Sequence, residues 1–422
     1  MSLLKSSIMA AASLLVSFSG APCRAKAPPP RHGEKLIIIN DDGFSPFFTG
    51  QYKSAEDLRK KMLGLRDTQV AVMEWCITSG SRVNYPSKAA DLIGEGMTDF
   101  PRRGDRQAAE SLKQLVAEGV DTLKVVTDAC HGAGMQCYAS MRMNGDYPES
   151  YMDGGIAHLL NSSFWWKHPE FRVRGPKGED KVHLSYAFPE VRGFKMGILR
   201  EAVERDIDGL DFDFLRHPPF FGYEEPLVRA FEEKYGQDPR TLSVDEPRWL
   251  KLRGEIMTGF LRDTRKLLDE ASQRRGRHLG LSARIDWREH RAVGCDVETW
   301  LKEGLLDYLV VAQHTLGGYE FDIAPFVAMA KGTGCAVLFG EEAATSGHDL
   351  TAEEDKLIAA GKMKPPTRGI LTMEQYRARA ARWYAAGADG IHLFNETRRE
   401  PMSVLGTTPP AGAKSPQDSE SK

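Results

Sequence analysis

The chain has 422 residues, 41% of them hydrophobic and 27% charged, with a formal net charge of −3. That length suits one elaborated domain, and the balance is that of an ordinary globular protein. No basic face or tail stands out, which argues against a nucleic-acid partner, and no segment is long and apolar enough to span a membrane.

Residues 1–25 read as a signal peptide. Lys5 gives a short basic start, residues 8–16 form an apolar run too short for a bilayer, and small residues follow at Ser19-Gly20-Ala21. A secreted or periplasmic protein is therefore expected. Pro28-Pro29-Pro30 marks 26–34 as a proline-rich spacer. The six cysteines form no CxxC pair, so a zinc ribbon is not expected. Cys76, Cys137 and Cys335 lie in apolar strand-like runs, where buried free thiols are the simpler reading.

After the spacer, short apolar runs alternate with amphipathic stretches, the pattern of a parallel sheet wrapped by helices. The expected strands are 35–40, 69–74, 136–142, 207–214, 279–285, 306–312, 335–339 and 390–394. Helices are expected at 54–63 (with Ser54 as N-cap), 106–118, 124–133, 191–204, 247–273, 297–303, 323–331 and 373–386. The fold class is therefore α/β, a (β/α)8 TIM barrel over 35–399. A long insertion after strand three, from 144 to about 188, shows little periodicity and is expected as a loop over the barrel mouth. Residues 400–422, polar and poor in apolar side chains, read as a disordered tail that leaves no closing helix.

A TIM barrel carries its chemistry at the C-terminal ends of its strands. Polar residues gather there. Strand one ends in Asn40-Asp41-Asp42, strand two in Glu74-Trp75, and strand three in Arg142 and Asn144. Strand four brings Asp211, Asp213, Arg216 and His217, and strand five Arg284 and Asp286. Strands six, seven and eight end in Gln313-His314, Glu341-Glu342 and Asn395-Glu396. Side chains alternate along a strand, so Asp211 and Asp213 share a face opposite Phe212 and Phe214. Phenylalanines packing on the helices would point both aspartates into the barrel. An Asp–Arg network with Arg142, Arg216 and Arg284 that fixes strand register is the structural alternative.

Glycoside hydrolysis needs two carboxyl groups, about 5 Å apart for retention or roughly 6.5–9.5 Å for inversion. Strand seven supplies the second: Glu341 keeps the parity of Val337 and Phe339 and reads as the inward residue. Asp213 is then nucleophile or base and Glu341 the general acid. Asp211 and Glu342 complete the candidate catalytic set, and a solvated helix-start carboxylate is the simpler reading of Glu342. Candidate sugar contacts are Arg142, Asn144, Arg216, His217, Arg284, His314 and Asn395. The aromatic residues Trp75, Tyr85 and Trp166 join them, because aromatic faces pack against sugar rings; Trp165, Tyr186, Tyr223 and Trp287 fall in similar loops. No HxH or HExxH spacing supports a metal centre, and no cofactor is expected.

The segment Asp208-Gly209-Leu210-Asp211-Phe212-Asp213-Phe214-Leu215 resembles the D-G-x-D-x-D-x-E strand of chitinase-type barrels, except that Leu215 stands where those carry their proton-donating glutamate. Several stretches in order are similar to the bacterial glycosyl-hydrolase-like family 10 barrels. They are Arg142-Met143-Asn144, Trp166-Lys167-His168-Pro169-Glu170, Leu184-Ser185-Tyr186-Ala187-Phe188, the run from Asp208 to Pro218, and Phe339-Gly340-Glu341. The likeness spans roughly residues 35–396. It implies a glycosidase-type TIM barrel, exported and acting on a polysaccharide or oligosaccharide; the alternative is a non-catalytic carbohydrate-binding barrel. The chain departs from the family pattern at Gly145, which separates Asn144 from Asp146, and in its polar C-terminal tail.

Overall fold

Eight apolar runs become the staves of a closed parallel barrel: β1 (Leu36–Asp41), β2 (Val70–Cys76), β3 (Gln136–Arg142), β4 (Gly209–Asp213), β5 (Gly280–Asp286), β6 (Tyr308–Ala312), β7 (Ala336–Glu342) and β8 (Gly390–Phe394). Around the barrel the order is β1-β8-β7-β6-β5-β4-β3-β2. The computed structural model describes residues 31, 35–151, 155–313 and 320–411. The expected signal peptide, almost all of the spacer, and His314 lie outside them.

The helices begin where the sequence offers caps. Ser54 and Asp57 form a reciprocal capping box on Ala55–Leu63, and Thr372 with Gln375 does the same on Met373–Ala385. Pro247 opens the long helix Pro247–Arg275, which ends at Gly276 in the left-handed conformation. No helix among the described residues is long and apolar enough to cross a membrane.

Alternation divides each strand into an inner and an outer set. Leu36, Ile38, Val72, Tyr138, Tyr308, Val310 and Leu338 fill the lower lumen, while Ile37, Ile39, Met73, Phe212, Val311, Val337 and Phe339 pack under the helices. Tyr138 reaches across the lumen because β4 and β5 carry glycines there. A Cβ on Gly280 would lie 1.9 Å from the Tyr138 hydroxyl.

Beneath the barrel three aspartates perform one task. Asp208, Asp307 and Asp389, each just before an even-numbered strand, accept the backbone N–H of Cys137, Leu281 and Val337 on the preceding strand at 2.8–2.9 Å. Asp208 of the chitinase-like segment thus ties strands together at the end remote from the mouth.

Two expectations are corrected. Residues 400–407 are not a disordered tail: the helix Arg399–Val404 and the turn Leu405–Thr407 bury Met402 and Leu405 completely. The Gln69 and Lys35 N–H groups donate to Met402 and Gly406, so this segment closes the N-terminal end of the barrel. Residues 412–422 lie outside the described residues. The stretch after β3 is not a plain loop either. It carries helices Gly155–Leu160 and Ser163–Lys167 and a ribbon of Arg172–Arg174 with Asp180–Leu184.

Candidate functional site

The upper lumen is polar in two layers. The lower layer holds Asn40, Glu74, Ser140, Asp211, Ser282 and His392, all at most 3% exposed. The Ser140 hydroxyl donates to Asp211 Oδ2 at 2.7 Å, and His392 Nε2 lies 2.8 Å from Glu74 Oε2. Burial pushes the Glu74 carboxyl up to about 8, against the Ser282 hydroxyl and the Arg284 charge. Burial, then the nearby Glu74, raises Asp211 to about 8 as well. Burial and the Arg284 cation lower His392 to about 3, so its imidazole is neutral.

The layer above opens toward the mouth with Asp42, Arg142, Asp213, Arg284 and Phe394. Arg284 Nη1 meets Asp213 Oδ2 at 3.4 Å, and its guanidinium carbon sits 4.1 Å from the centroid of the Phe394 ring. Arg142 faces Asp42 across 3.9 Å. Burial would raise Asp42, but the Arg142 charge and the hydrogen bonds from Ser45 and Phe44 hold its carboxyl below its ordinary value. Asn395 clasps Asp42 in both directions: its Oδ1 accepts the Asp42 N–H at 3.0 Å, and its Nδ2 donates to Asp42 Oδ2 at 3.2 Å.

Arg216 follows β4 at the mouth. Its guanidinium lies in the field of both Asp213 and Glu342, and 5.4 Å from the Phe394 ring. His217 takes a left-handed backbone at φ 52°, rare for a residue with a Cβ, and turns its ring to within 5.2 Å of Tyr147. Asn395 has the same unusual φ of 52°. Two non-glycine residues held this way at one mouth mark a backbone shaped for more than chain economy.

The expected inward glutamate is corrected. Val337 and Phe339 face the helices, and parity carries Glu341 to that side with them. There Arg379 Nη1, from helix Met373–Ala385, donates to Glu341 Oε2 at 2.6 Å, and both side chains are buried. Burial pushes this carboxyl up to about 7 in spite of Arg379. Glu342 has the parity of Leu338 and Gly340 and faces the mouth, half-buried.

Four of the expected sugar contacts are also corrected. Trp75 is fully buried under the helical layer, its ring 5.9 Å from Tyr52 and 6.5 Å from Phe47. Tyr85 is fully buried, with Arg205 over its ring. Asn144 is buried and spends its amide N–H groups on the carbonyls of Leu184 and Pro219, so it braces the loops. Trp166 is half-buried but faces a separate groove of about 830 Å³, where it stacks on His158 at 4.7 Å. The structure therefore unites Arg142, Asp211, Asp213, Arg216, His217, Arg284, Glu342 and Asn395 at or below one mouth.

His392, Ser140 and Ser282 are lumen residues that the amino-acid sequence did not bring forward, and Asp42 and Glu74 stood among the polar strand ends without being taken as catalytic or sugar-binding. Period-two parity was available for them: a histidine alternating with Gly390 and Phe394, or a glutamate alternating with Val72, is an inward residue once Val72 is inward. What was missing was the face assignment of each strand.

Comparison with solved structures gives matches of low sequence identity. A glycoside hydrolase family 18 N-acetylglucosaminidase from Paenibacillus barengoltzii superposes at a TM-score of 0.42 and 12% identity, covering 89% of this chain and 98% of that one. A beta-N-acetylhexosaminidase from Bacteroides fragilis gives 0.46 and 13%, covering 92% and 68%. A maltogenic alpha-amylase from Thermotoga neapolitana gives 0.40 and 13%, covering 90% and 72%. No curated protein matches the chain. The family comparison matches residues 52–316, from the loop before the first barrel helix to just past β6, and on that match the chain belongs to the glycosyl hydrolase-like 10 family.

Proposed function

We propose that this protein is an exported glycoside hydrolase of polysaccharide or oligosaccharide chains, with Asp213 and Glu342 as its carboxyl pair. The observation that carries the reading is that Asp213 at the end of β4 and Glu342 at the end of β7 both have the inward parity of their strands and stand on different walls of one mouth. Membership of a glycosyl hydrolase-like family supports a carbohydrate as the ligand. Asp213, set by Arg284, is the nucleophile or base, and Glu342, half-open to solvent, is the acid. Arg142, Arg216, His217 and Asn395 line the approach and orient the sugar.

The test is a glycan screen for reducing-end release by the wild type beside Asp213→Asn and Glu342→Gln. A polymer cut by the wild type and by neither variant supports the reading, and the anomer first released then separates retention from inversion. Cleavage that survives both substitutions refutes the pair. Leu215, buried where chitinase-type barrels carry their acid, favours a second reading, a carbohydrate-binding barrel. Glycan binding without cleavage would establish it.

A further inference from the structure

The lower polar layer contains more acid than the proposed reaction uses. Glu74, Asp211 and Asp213 stand inside the barrel, none more than 1% exposed. Among the described residues the ion pair that any of them makes with a guanidinium is that of Asp213 with Arg284. Glu74 instead meets His392, which is fully buried and neutral and brings no charge. Its other oxygen makes no hydrogen bond of good geometry, although Ser282 and Asn40 face it, and Asp211 Oδ1 is likewise without a partner. The groups around Glu74 come from both paired strands and from across the lumen: Asn40 on β1, Tyr138 and Ser140 on β3, Asp211 and Asp213 on β4, Ser282 and Arg284 on β5, Tyr308 on β6 and His392 on β8. Only one of these is a cation. An uncompensated carboxylate in such a place is strongly disfavoured, and a carboxyl group escapes that cost by keeping its proton.

We propose that Glu74 is a positioning residue of this site: clamped to His392 one layer below the mouth, it stands as a neutral acid and leaves the Arg284 guanidinium to Asp213 alone. The consequence is simple. Were Glu74 ionised, it would compete for Arg284, whose hold on Asp213 is long at 3.4 Å. With Glu74 protonated, Arg284 keeps Asp213 aimed at the mouth. The hydrogen bond between Oε2 and His392 Nε2 fixes the orientation of the carboxyl. The link to turnover rests on the glycosidase reading above; the protonation state does not.

The experiment is carboxyl 13C NMR on the full chain, labelled at glutamate and aspartate side chains, comparing the wild type with Glu74→Gln and Asp213→Asn. The expected result is a protonated glutamate signal at neutral pH, titrating near 8, that vanishes in Glu74→Gln and persists in Asp213→Asn. A wild type without that signal, or one in which Asp213→Asn abolishes it, overturns the proposal. If Glu74→Gln does not fold, glutamate-labelled wild type decides alone. Two glutamates must then titrate above the ordinary range, Glu341 near 7 and Glu74 near 8, and a single one refutes the assignment. On any glycan the wild type cuts, Glu74→Gln moves the alkaline limb of the pH profile by one unit or more, roughly the effect of removing one coupled charge; an unmoved limb overturns the positioning role. Failure to cut any glycan sinks the glycosidase reading and leaves the NMR result to stand or fall separately.

Discussion

Glu341 and Glu342 are neighbours in sequence with opposite surroundings, and exchanging each for glutamine separates their roles. Glu341 is 2% exposed in its side chain and meets Arg379, itself 8% exposed, at 2.6 Å. Removing one partner of a buried ion pair costs about 3–5 kcal/mol, because the remaining charge stays behind. Glutamine keeps one carbonyl oxygen for the Arg379 N–H, and burial already raises Glu341 to about 7, so part of its charge is gone at neutral pH. The expected loss for Glu341→Gln is therefore at the low end, about 2–3 kcal/mol. At roughly 2 °C per kcal/mol for a chain of this size, melting falls by about 4–6 °C. Glu342 is half-buried at the mouth, where substitutions usually change stability by about 0.5 kcal/mol or less. Its replacement is expected to leave the melt in place and lower glycan cleavage by about 10²–10⁴-fold, the usual contribution of a general acid. Thermal melts by circular dichroism and reducing-end assays on both variants, well below either melting temperature, make the comparison. Cleavage lost in Glu341→Gln but kept in Glu342→Gln would refute the assignment of faces.

Stability is expected to fall as pH rises from the ordinary carboxyl range to about 8. Glu74 and Asp211 have folded values raised above their unfolded ones, so the stability they contribute is complete in acid and lost as each deprotonates. Thermal melts against pH should show the slope in the wild type and a shallower one in Glu74→Gln; equal slopes would contradict it. Met402→Ala, at a fully buried position of the closing segment, is expected to cost about 2–5 kcal/mol by denaturant titration. A midpoint unchanged from the wild type would mean that residues 400–407 do not plug the barrel. Gly280→Ala places a methyl 1.9 Å from the Tyr138 hydroxyl and should cost about 1–3 kcal/mol or more, with Tyr138→Phe restoring part of the loss. A neutral Gly280→Ala would show that Tyr138 does not cross the lumen.

Much of the architecture is local information and is legible in the amino-acid sequence. Each strand run from β1 to β8 lies within two or three residues of its expected place, because apolar runs bounded by turn and cap residues declare themselves in short windows. The inward direction of Asp211 and Asp213 is legible too, since Phe212 and Phe214 between them have to pack on something. The same parity argument fails at β7. Val337 and Phe339 face the helices, whereas the inner positions of β7 hold Ala336, Leu338 and Gly340, and Glu341 follows its neighbours outward. Alternation is a property of the chain, but which set is inner depends on how the strands tilt and stagger into a closed barrel, which no single strand encodes. Trp75, Tyr85 and Asn144 depart from expectation for a similar reason: a residue at a strand end becomes a mouth residue or a core residue only when loops from elsewhere, such as Phe47 and Tyr52 or Leu184 and Pro219, close over it. The amino-acid sequence alone determined the number of strands, their parallel order of appearance and the acidic character of β4. The tertiary structure alone decided the meeting of Glu74 with His392 and of Asp213 with Arg284, and the placing of Asp213 and Glu342 at one mouth. Most of those partners lie far apart in the chain, and only barrel closure brings them within reach of one another.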